Sequence, residues 1–333
     1  MKREILISMV NGDVLEFDAD VLALKYAQDL YGADRAVYER ISGGHAQPRL
    51  PKISGFTFLE THGFIGARYV LFVGVKPLRD FGYAEIREFG RKTLVSLAGE
   101  APTTQHLALT IHGPGYGLDE AEAFESELAG VVDAVTNADF PEHLTTISFV
   151  ERNAGRARRL AGSLKKVLPD GRISLTDRRT ALTALGQDAE NTLRTAGYSS
   201  AGKPHVFVAM PFADTMDDVF HYGIQGAVNS AGFLCERADL STFTGDVMNW
   251  VKARISSAQL VVADLSSANP NVYLEVGYTW GCRVPTVLLA KDSGDLKFDV
   301  KGQRCILYKS IKALEDALRK ELQGLADIRT AGT

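Results

Sequence analysis

Residues 258–289 constrain the fold of this chain more than any other stretch. They begin with a short apolar run, 260–263, that ends at Asp264 and is too short for a helix. Such a run is typical of a strand buried in a parallel sheet. A polar turn follows, and Pro270 and Gly281 suit the start and end of a helix predicted over 271–280. With a further strand at 286–289, this is a strand-loop-helix-strand unit, in which ligands bind at the carboxyl end of the strand.

Two carboxylates belong to that end of the predicted strand. Asp264 terminates the strand, and Glu275 lies one turn into the helix. Val272, Val276 and Tyr278 make the surrounding helical face apolar, so we expect Glu275 to face a cleft or a partner rather than free water. A purely structural interpretation stays open, in which Asp264 helps to cap the helix and Glu275 is solvated.

The string of residue types around these acids resembles a known family. Asp-Leu-Ser begins at Asp264, Asn-Pro-Asn-Val-Tyr begins at Asn269, and Glu275 and Gly277 follow. This string is similar to that of the nucleoside 2-deoxyribosyltransferase-like family, which adjoins the TIR-type NAD hydrolases. The resemblance implies that Glu275 is the nucleophile and that Asp264 helps to bind and protonate the substrate.

The resemblance extends over residues 204–325. Val-Phe-Val-Ala-Met-Pro-Phe at 206–212 resembles the opening of the same family, where the turn helps to form the substrate pocket. Arg237 could hold a phosphate or carboxylate, or could be paired with Asp239. The candidate substrate-binding residues are Pro211, Phe212, Arg237, Asn269, Asn271 and Tyr273.

Cleavage of an N-glycosidic bond suits two carboxylates. Positive charge builds at the anomeric carbon, where one carboxylate stabilises or captures it, while an acid near the base protonates the leaving nitrogen. Glu275 with Asp264 or Asp246 could supply both groups, and Phe212 or Tyr273 could stack on the base. Attack by a nucleobase makes the enzyme a transferase and attack by water makes it a hydrolase; no residue decides between them.

Residues 1–168 alternate strand-like and helix-like segments, which predicts a three-layer domain with a largely parallel sheet. One of the predicted helices spans 19–32, because an apolar face can be drawn through Val21, Leu22, Leu24, Ala27 and Leu30. Others are predicted over 83–99, 119–136 and 155–167.

Two glycine-bearing loops stand out in this region. One contains Asp13 after the first strand, and the other, 112–119, joins a strand to a helix. Such loops can direct backbone N–H groups at a phosphate, or they can be tight turns with Asp119 as a helix cap. Their arrangement resembles a macro domain, a family that binds ADP-ribose and related nucleotides. The resemblance implies that Asp13 contacts adenine and that the diphosphate is wrapped by Gly113, Gly115, Tyr116 and Gly117.

The chain of 333 residues therefore divides into two predicted domains. A macro-like nucleotide-binding domain spans 1–168, a linker with a bridging helix spans 169–203, and a deoxyribosyltransferase-like catalytic domain spans 204–330. We expect two three-layer αβα domains, the second with a flavodoxin-like parallel sheet.

Composition excludes several classes of function. A net charge of -4 gives no general attraction to nucleic acid or to an anionic membrane. Cys235, Cys282 and Cys305 lack metal-ligand spacing, so we expect neither a metal nor another cofactor, and a reducing compartment. With no long apolar segment, the prediction is a cytoplasmic protein. We also expect a homo-oligomer, with Trp280 as an interface anchor unless it lies in the core of its own subunit.

The predicted function is a nucleotide-sensing domain joined to a domain that cleaves the N-glycosidic bond of a nucleotide or NAD. By analogy of domain pairing, this suggests a ligand-regulated effector in antiviral defence. Two alternatives stay open: a deoxyribosyltransferase of nucleotide salvage, and a non-enzymatic nucleotide-binding signalling protein.

Overall fold

The computed structural model of the protein describes residues 3–43, 48–175, 187–238 and 247–330. These residues form two β-sheets, each with its own helices. Within these residues one unit holds the chain up to Pro114 together with Glu120–Ala201. The other holds Gly115–Asp119 together with the chain from Gly202 onward. None of the helices in these ranges is long and apolar enough to cross a membrane.

The first unit contains a seven-stranded sheet in the order β3-β4-β2-β5-β6-β1-β7. Its strands are β1 (Arg3–Asn11), β2 (Val21–Tyr26), β3 (Phe56–Glu60), β4 (Tyr69–Gly74), β5 (His106–Thr110), β6 (Thr146–Glu151) and β7 (Arg172–Leu175). The edge strands β3 and β7 pair antiparallel and the five between them are parallel, so the predicted largely parallel sheet is confirmed. The helices are α1 (Ala33–Ser42), α2 (Tyr83–Glu100), α3 (Glu120–Thr136), α4 (Ala154–Val167) and α5 (Gln187–Thr195).

The helix predicted over 19–32 is wrong. Residues Val21–Tyr26 form strand β2, which pairs with β4 on one side and β5 on the other. Both faces of this central strand are buried, so its apolar residues run continuously and mimic a helical stripe. The helix that follows, α1, starts only at Ala33. Helix α5 is the described part of the bridging helix predicted within 169–203, since residues 176–186 lie outside the described residues.

Helices α2 and α3 pack against each other through glycine. A Cβ atom on Gly130 would lie 1.8 Å from the carbonyl oxygen of Arg87, and one on Gly90 would lie 2.4 Å from that of Glu127. Larger residues at these positions would therefore force the backbones apart. The close approach brings the side chains between the helices into a fully buried layer.

Arg87 fixes the end of α5 to this helix pair. Its buried guanidinium donates to the carbonyl oxygens of Leu193, at 2.8 Å, and Ala196, at 2.6 Å. It also donates to both carboxylate oxygens of Asp133, at 2.7 and 2.8 Å. Such a planar fork satisfies several buried acceptors at once. The C-terminal end of α5 is thus part of the first unit.

The second unit contains a five-stranded parallel sheet in the order β12-β11-β10-β8-β9. Its strands are β8 (His205–Ala209), β9 (Leu234–Glu236), β10 (Leu260–Asp264), β11 (Thr286–Ala290) and β12 (Cys305–Leu307). Its helices are α6 (Asp214–Asp218), α7 (Gly226–Ser230), α8 (Val247–Ser257), α9 (Pro270–Gly281) and α10 (Ile311–Thr330), with a π-helical segment, Val219–Gln225, between α6 and α7. Counted along the chain, the strand order is 2-1-3-4-5, which confirms the predicted flavodoxin-like sheet.

Two apolar layers cover this sheet, which makes the second unit three-layered. Val206 and Val208 of β8 face a core shared with Met216 and α10, whereas Phe207 and Ala209 face a core shared with α8 and α9. The strand order changes direction between β8 and β10, so a ligand crevice is expected at the carboxyl ends of these two strands.

Candidate functional site

Asp264 lies at the carboxyl end of β10 and is fully buried. Its Oδ1 accepts a hydrogen bond from the backbone N–H of Ser266 at 2.9 Å, and its Oδ2 accepts one from the Tyr308 hydroxyl at 2.7 Å. Burial and the neighbouring Asp264 carboxylate raise the pKa of Tyr308, which keeps its hydroxyl a donor at neutral pH. The orientation of the Asp264 carboxyl group is therefore set by the protein.

Glu275 lies on the buried face of α9, between Val272, Val276 and Thr279. Within the described ranges, no residue donates a hydrogen bond to its carboxyl group or forms an ion pair with it. Burial raises the pKa of Glu275 from 4.5 to about 7. The interpretation of Glu275 as a solvated residue is therefore wrong. Asn269, rather than Asp264, caps α9, since its side chain accepts from the backbone N–H of Asn271 at 2.9 Å.

The arrangement suits proton transfer or charge stabilisation at Glu275. A carboxyl group with a pKa near the working pH can exist in both protonation states. Strong perturbation by desolvation, at the edge where an open sheet binds ligands, is typical of functional sites. Asp264 ends β10 and Glu275 lies on the next helix, α9, and a shared ligand site at this edge stays a prediction.

Arg237 and Phe212 meet beside the end of β8. The guanidinium carbon of Arg237 lies 5.7 Å from the centre of the exposed Phe212 ring and 4.2 Å from that of Phe220. Its Nη2 lies 3.3 Å from Oδ1 of Asp217. Pro211, between β8 and Phe212, is buried. The structure thus brings three of the predicted substrate-binding residues together, one of them a cation.

Tyr273 and Asn271 occupy different positions from this group. The Tyr273 hydroxyl donates to the carbonyl oxygen of Asp295 at 2.8 Å and accepts from the backbone N–H of Lys297 at 3.0 Å. These two hydrogen bonds connect α9 to the loop after β11, so Tyr273 has a structural role here. Asn271 is exposed at the first turn of α9. Asp246 and Asp239 lie outside the described residues.

Trp280 does not lie in the core of its own unit. Its side chain is 38% exposed at the end of α9, and Leu274 on the same helix is 62% exposed. Two exposed apolar residues on one helix are compatible with a subunit interface, and the homo-oligomer stays a prediction.

In the first unit, Asp13 follows β1 in the predicted position. Its Oδ1 accepts from the backbone N–H of Leu15 at 3.0 Å, and its Oδ2 lies 3.9 Å from Arg152. Gly113 has a positive φ of 113°, which favours glycine. Gly115 and Tyr116 belong to the second unit, where Gly115 has open space at the position of a Cβ and Tyr116 is buried.

Gly117 and Asp119 make their contacts within the second unit. A Cβ on Gly117 would lie 2.3 Å from the Trp250 ring, and the Gly117 carbonyl accepts from the backbone N–H of Arg237 at 3.1 Å. Asp119 Oδ2 accepts from the backbone N–H of Cys235 at 3.0 Å. Close packing alone therefore requires a glycine at position 117. Phosphate binding at Gly117 stays a prediction.

Sequence reasoning missed a buried polar cluster at the carboxyl end of β5. Glu127 Oε2 accepts from the backbone N–H of His112 at 3.3 Å, and no described group hydrogen-bonds to its buried Oε1. Burial holds the pKa of Glu127 well above its usual range, and burial and Lys25 hold the pKa of His112 well below its own. The sequence could have pointed to His112, because it precedes Gly113 in the glycine loop. Nothing in the sequence distinguishes Glu127 from the other acidic residues of α3.

No family model matches the sequence, and none of the curated proteins matches it. Among solved structures, it is similar to the Oceanobacillus iheyensis macrodomain with ADP, at 11% identity and a TM-score of 0.35, over 51% of this chain and 98% of that one. A mutant of the same macrodomain with ADPR matches at 12% identity and a TM-score of 0.34, over 49% and 93%. Values of this size establish neither a family nor a function for this chain. In the described residues, no group of three or more His, Cys, Asp or Glu side chains is placed to hold a metal ion.

Replacing the desolvated acid should change stability with pH. Because the pKa of Glu275 is about 7 in the folded protein and about 4.5 when exposed, its burial costs stability progressively as pH rises between these values. The full cost is about 3 kcal/mol above the higher value. We expect the melting temperature of Glu275→Gln, relative to wild type, to be higher at about pH 8 than at about pH 5. Asp316→Asn, an exposed acid on α10, should show no such pH dependence. A constant difference for Glu275→Gln would contradict the assigned burial.

Proposed function

We propose that the second unit cleaves the N-glycosidic bond of a nucleotide or of NAD. Glu275 is the nucleophile, and Asp264 helps to bind and protonate the substrate. The observation that carries this proposal is the desolvated Glu275 carboxyl group, which has no partner among the described residues and lies on α9, the helix that follows β10 at the switch point of the strand order.

The geometry supports a defined role for each acid. Positive charge at the anomeric carbon is stabilised best by a carboxylate that no nearby cation or donor already satisfies, and among the described residues Glu275 meets this condition. A cationic sugar at this point would also lower the pKa of Glu275 and favour its charged form. Asp264 is held by Ser266 and Tyr308 before any substrate binds, so it needs no reorganisation.

Incubating the purified full-length protein with nucleotides and with NAD, and measuring the free base by chromatography, tests the proposal. Base release that requires an added acceptor base favours the salvage transferase. Absence of release with every substrate, from folded protein, favours the non-enzymatic signalling protein. Release in water alone is the result we expect.

Glu275→Gln should abolish base release. Glutamine keeps the size of the side chain and removes its nucleophilicity, so the rate should fall by several orders of magnitude. Asp264→Asn should also reduce the rate strongly, because it loses one acceptor for the Tyr308 hydroxyl and the carboxyl group that can donate a proton. Circular dichroism and melting temperature verify the folds. Wild-type turnover by folded Glu275→Gln would exclude Glu275 as the nucleophile.

The pH dependence of kcat/KM separates two roles for Glu275. A nucleophile must be deprotonated, so kcat/KM of the free enzyme should rise with pH and level off above about pH 7. A general acid must be protonated, so kcat/KM would instead fall above about the same pH. Rates from about pH 5 to about pH 9 with a substrate that does not titrate in this range make the comparison. A falling limb with this midpoint would reassign Glu275 as the acid.

For the first unit, we propose an ADP-ribose-like or cyclic nucleotide ligand that regulates the second unit. Its support is Asp13, half exposed after β1, and the buried His112 and Glu127 at the carboxyl end of β5. A regulated nucleotide-cleaving effector of antiviral defence is the corresponding biological role.

Calorimetry on the full-length protein with ADP-ribose, NAD and cyclic nucleotides tests this ligand. Asp13→Asn keeps the hydrogen bond to Leu15 and removes the charge, so we expect ligand affinity to fall about tenfold while the fold is kept. The exposed Asp18→Asn is the matched control. Heat that is unchanged in Asp13→Asn would exclude Asp13 from the site, and no heat with any ligand would leave the unit as a scaffold.

A further inference from the structure

We infer that Arg237 and Lys291 hold the phosphate group of the substrate, on the α6 side of the sheet edge in the second unit. The inference rests on the proposed function and specifies how its substrate binds. The glycosidic bond then lies on the opposite side, toward Glu275.

The two cations flank the crevice from its two sides. Arg237 follows β9 and Lys291 follows β11, and the ends of β8 and β10 lie between them. Lys291 Nζ lies 3.4 Å from the sulfur of Met216, and Arg237 Nη2 lies 3.3 Å from Oδ1 of Asp217. Met216 and Asp217 are consecutive residues of α6. Both cations therefore contact α6, the helix that follows β8 at this edge of the sheet.

Negative charge from the described residues does not satisfy these cations. Lys291 has no carboxylate within ion-pair distance in the described ranges, and Arg237 has only Asp217. The Asp217 side chain is 48% exposed, while that of Arg237 is 11% exposed and packs on the Phe220 ring. A screened, exposed acid contributes little to such a pair. A phosphate, which carries up to two charges and accepts several hydrogen bonds, matches an arginine and a lysine together.

The layers of the unit orient such a substrate. Met216 and Phe220, which the cations contact, belong to the core between the sheet and α10. Val272 and Val276, which flank Glu275, belong to the core on the other face. A ligand that reaches both groups must lie across the carboxyl ends of β8 and β10. This position separates its phosphate from the Glu275 carboxylate, and Coulomb repulsion falls with distance.

Calorimetry with inorganic phosphate, and with AMP compared with adenosine, tests the site in the full-length protein. We expect Arg237→Gln and Lys291→Gln each to weaken phosphate and AMP binding about tenfold or more, and to leave adenosine binding unchanged. Lys301→Gln, at an exposed lysine of the same unit, is the matched control and should bind like wild type. Lys291 is exposed, so its variant should fold even if Arg237→Gln does not.

The same measurement separates this inference from the proposed chemistry. Glu275→Gln should bind phosphate as wild type does while releasing no base. Phosphate affinity that is unchanged in folded Lys291→Gln and Arg237→Gln would overturn the phosphate site, as would a wild type that binds no phosphate. A third outcome is that both variants lose phosphate binding but the wild type releases no base from any substrate. That result would support the anion site and exclude the proposed glycosidase activity.

Discussion

Parallel pairing of β10 with β8 and β11 is the interaction on which the second unit depends. All five residues of β10 are buried, so every backbone group in it must be paired within the sheet. Because parallel strands end at the same edge, Asp264, Lys291, Tyr308 and the turn at Pro211 come together, although up to about a hundred residues separate them in the sequence. The strand order changes direction between β8 and β10, and Glu275 lies on α9, the helix that follows β10.

Desolvation distinguishes the two acids of this unit. Burial, with no partner among the described residues, raises the pKa of Glu275 to about 7, whereas Asp264 is fixed by two donors. Glu275 and Asp264 are both carboxylic acids, but their surroundings give them different properties. The burial of Glu275 without a partner among the described residues costs the fold stability at high pH.

The sequence was most informative where local pattern and structure coincide. The strand before Asp264, the helix start near Pro270 and the apolar face around Glu275 are all local, and the structure agrees with each. Strand β2 was misassigned because a strand buried on both faces has no alternation to distinguish it from a helix. Tyr308, Lys291 and Glu127 were missed because their environments depend on strand order or on the close packing of α2 and α3, which no local spacing reveals.

The loop Gly115–Asp119 has a consequence for solubility. Strand β9 is at the edge of its sheet, and the outward N–H groups of Cys235 and Arg237 would be free to pair with a strand of another molecule. Asp119 and the Gly117 carbonyl accept both of these donors. The segment therefore covers the edge of the sheet and occupies its outward hydrogen-bond donors. A loop whose glycines suggest phosphate binding protects the protein from strand-to-strand aggregation.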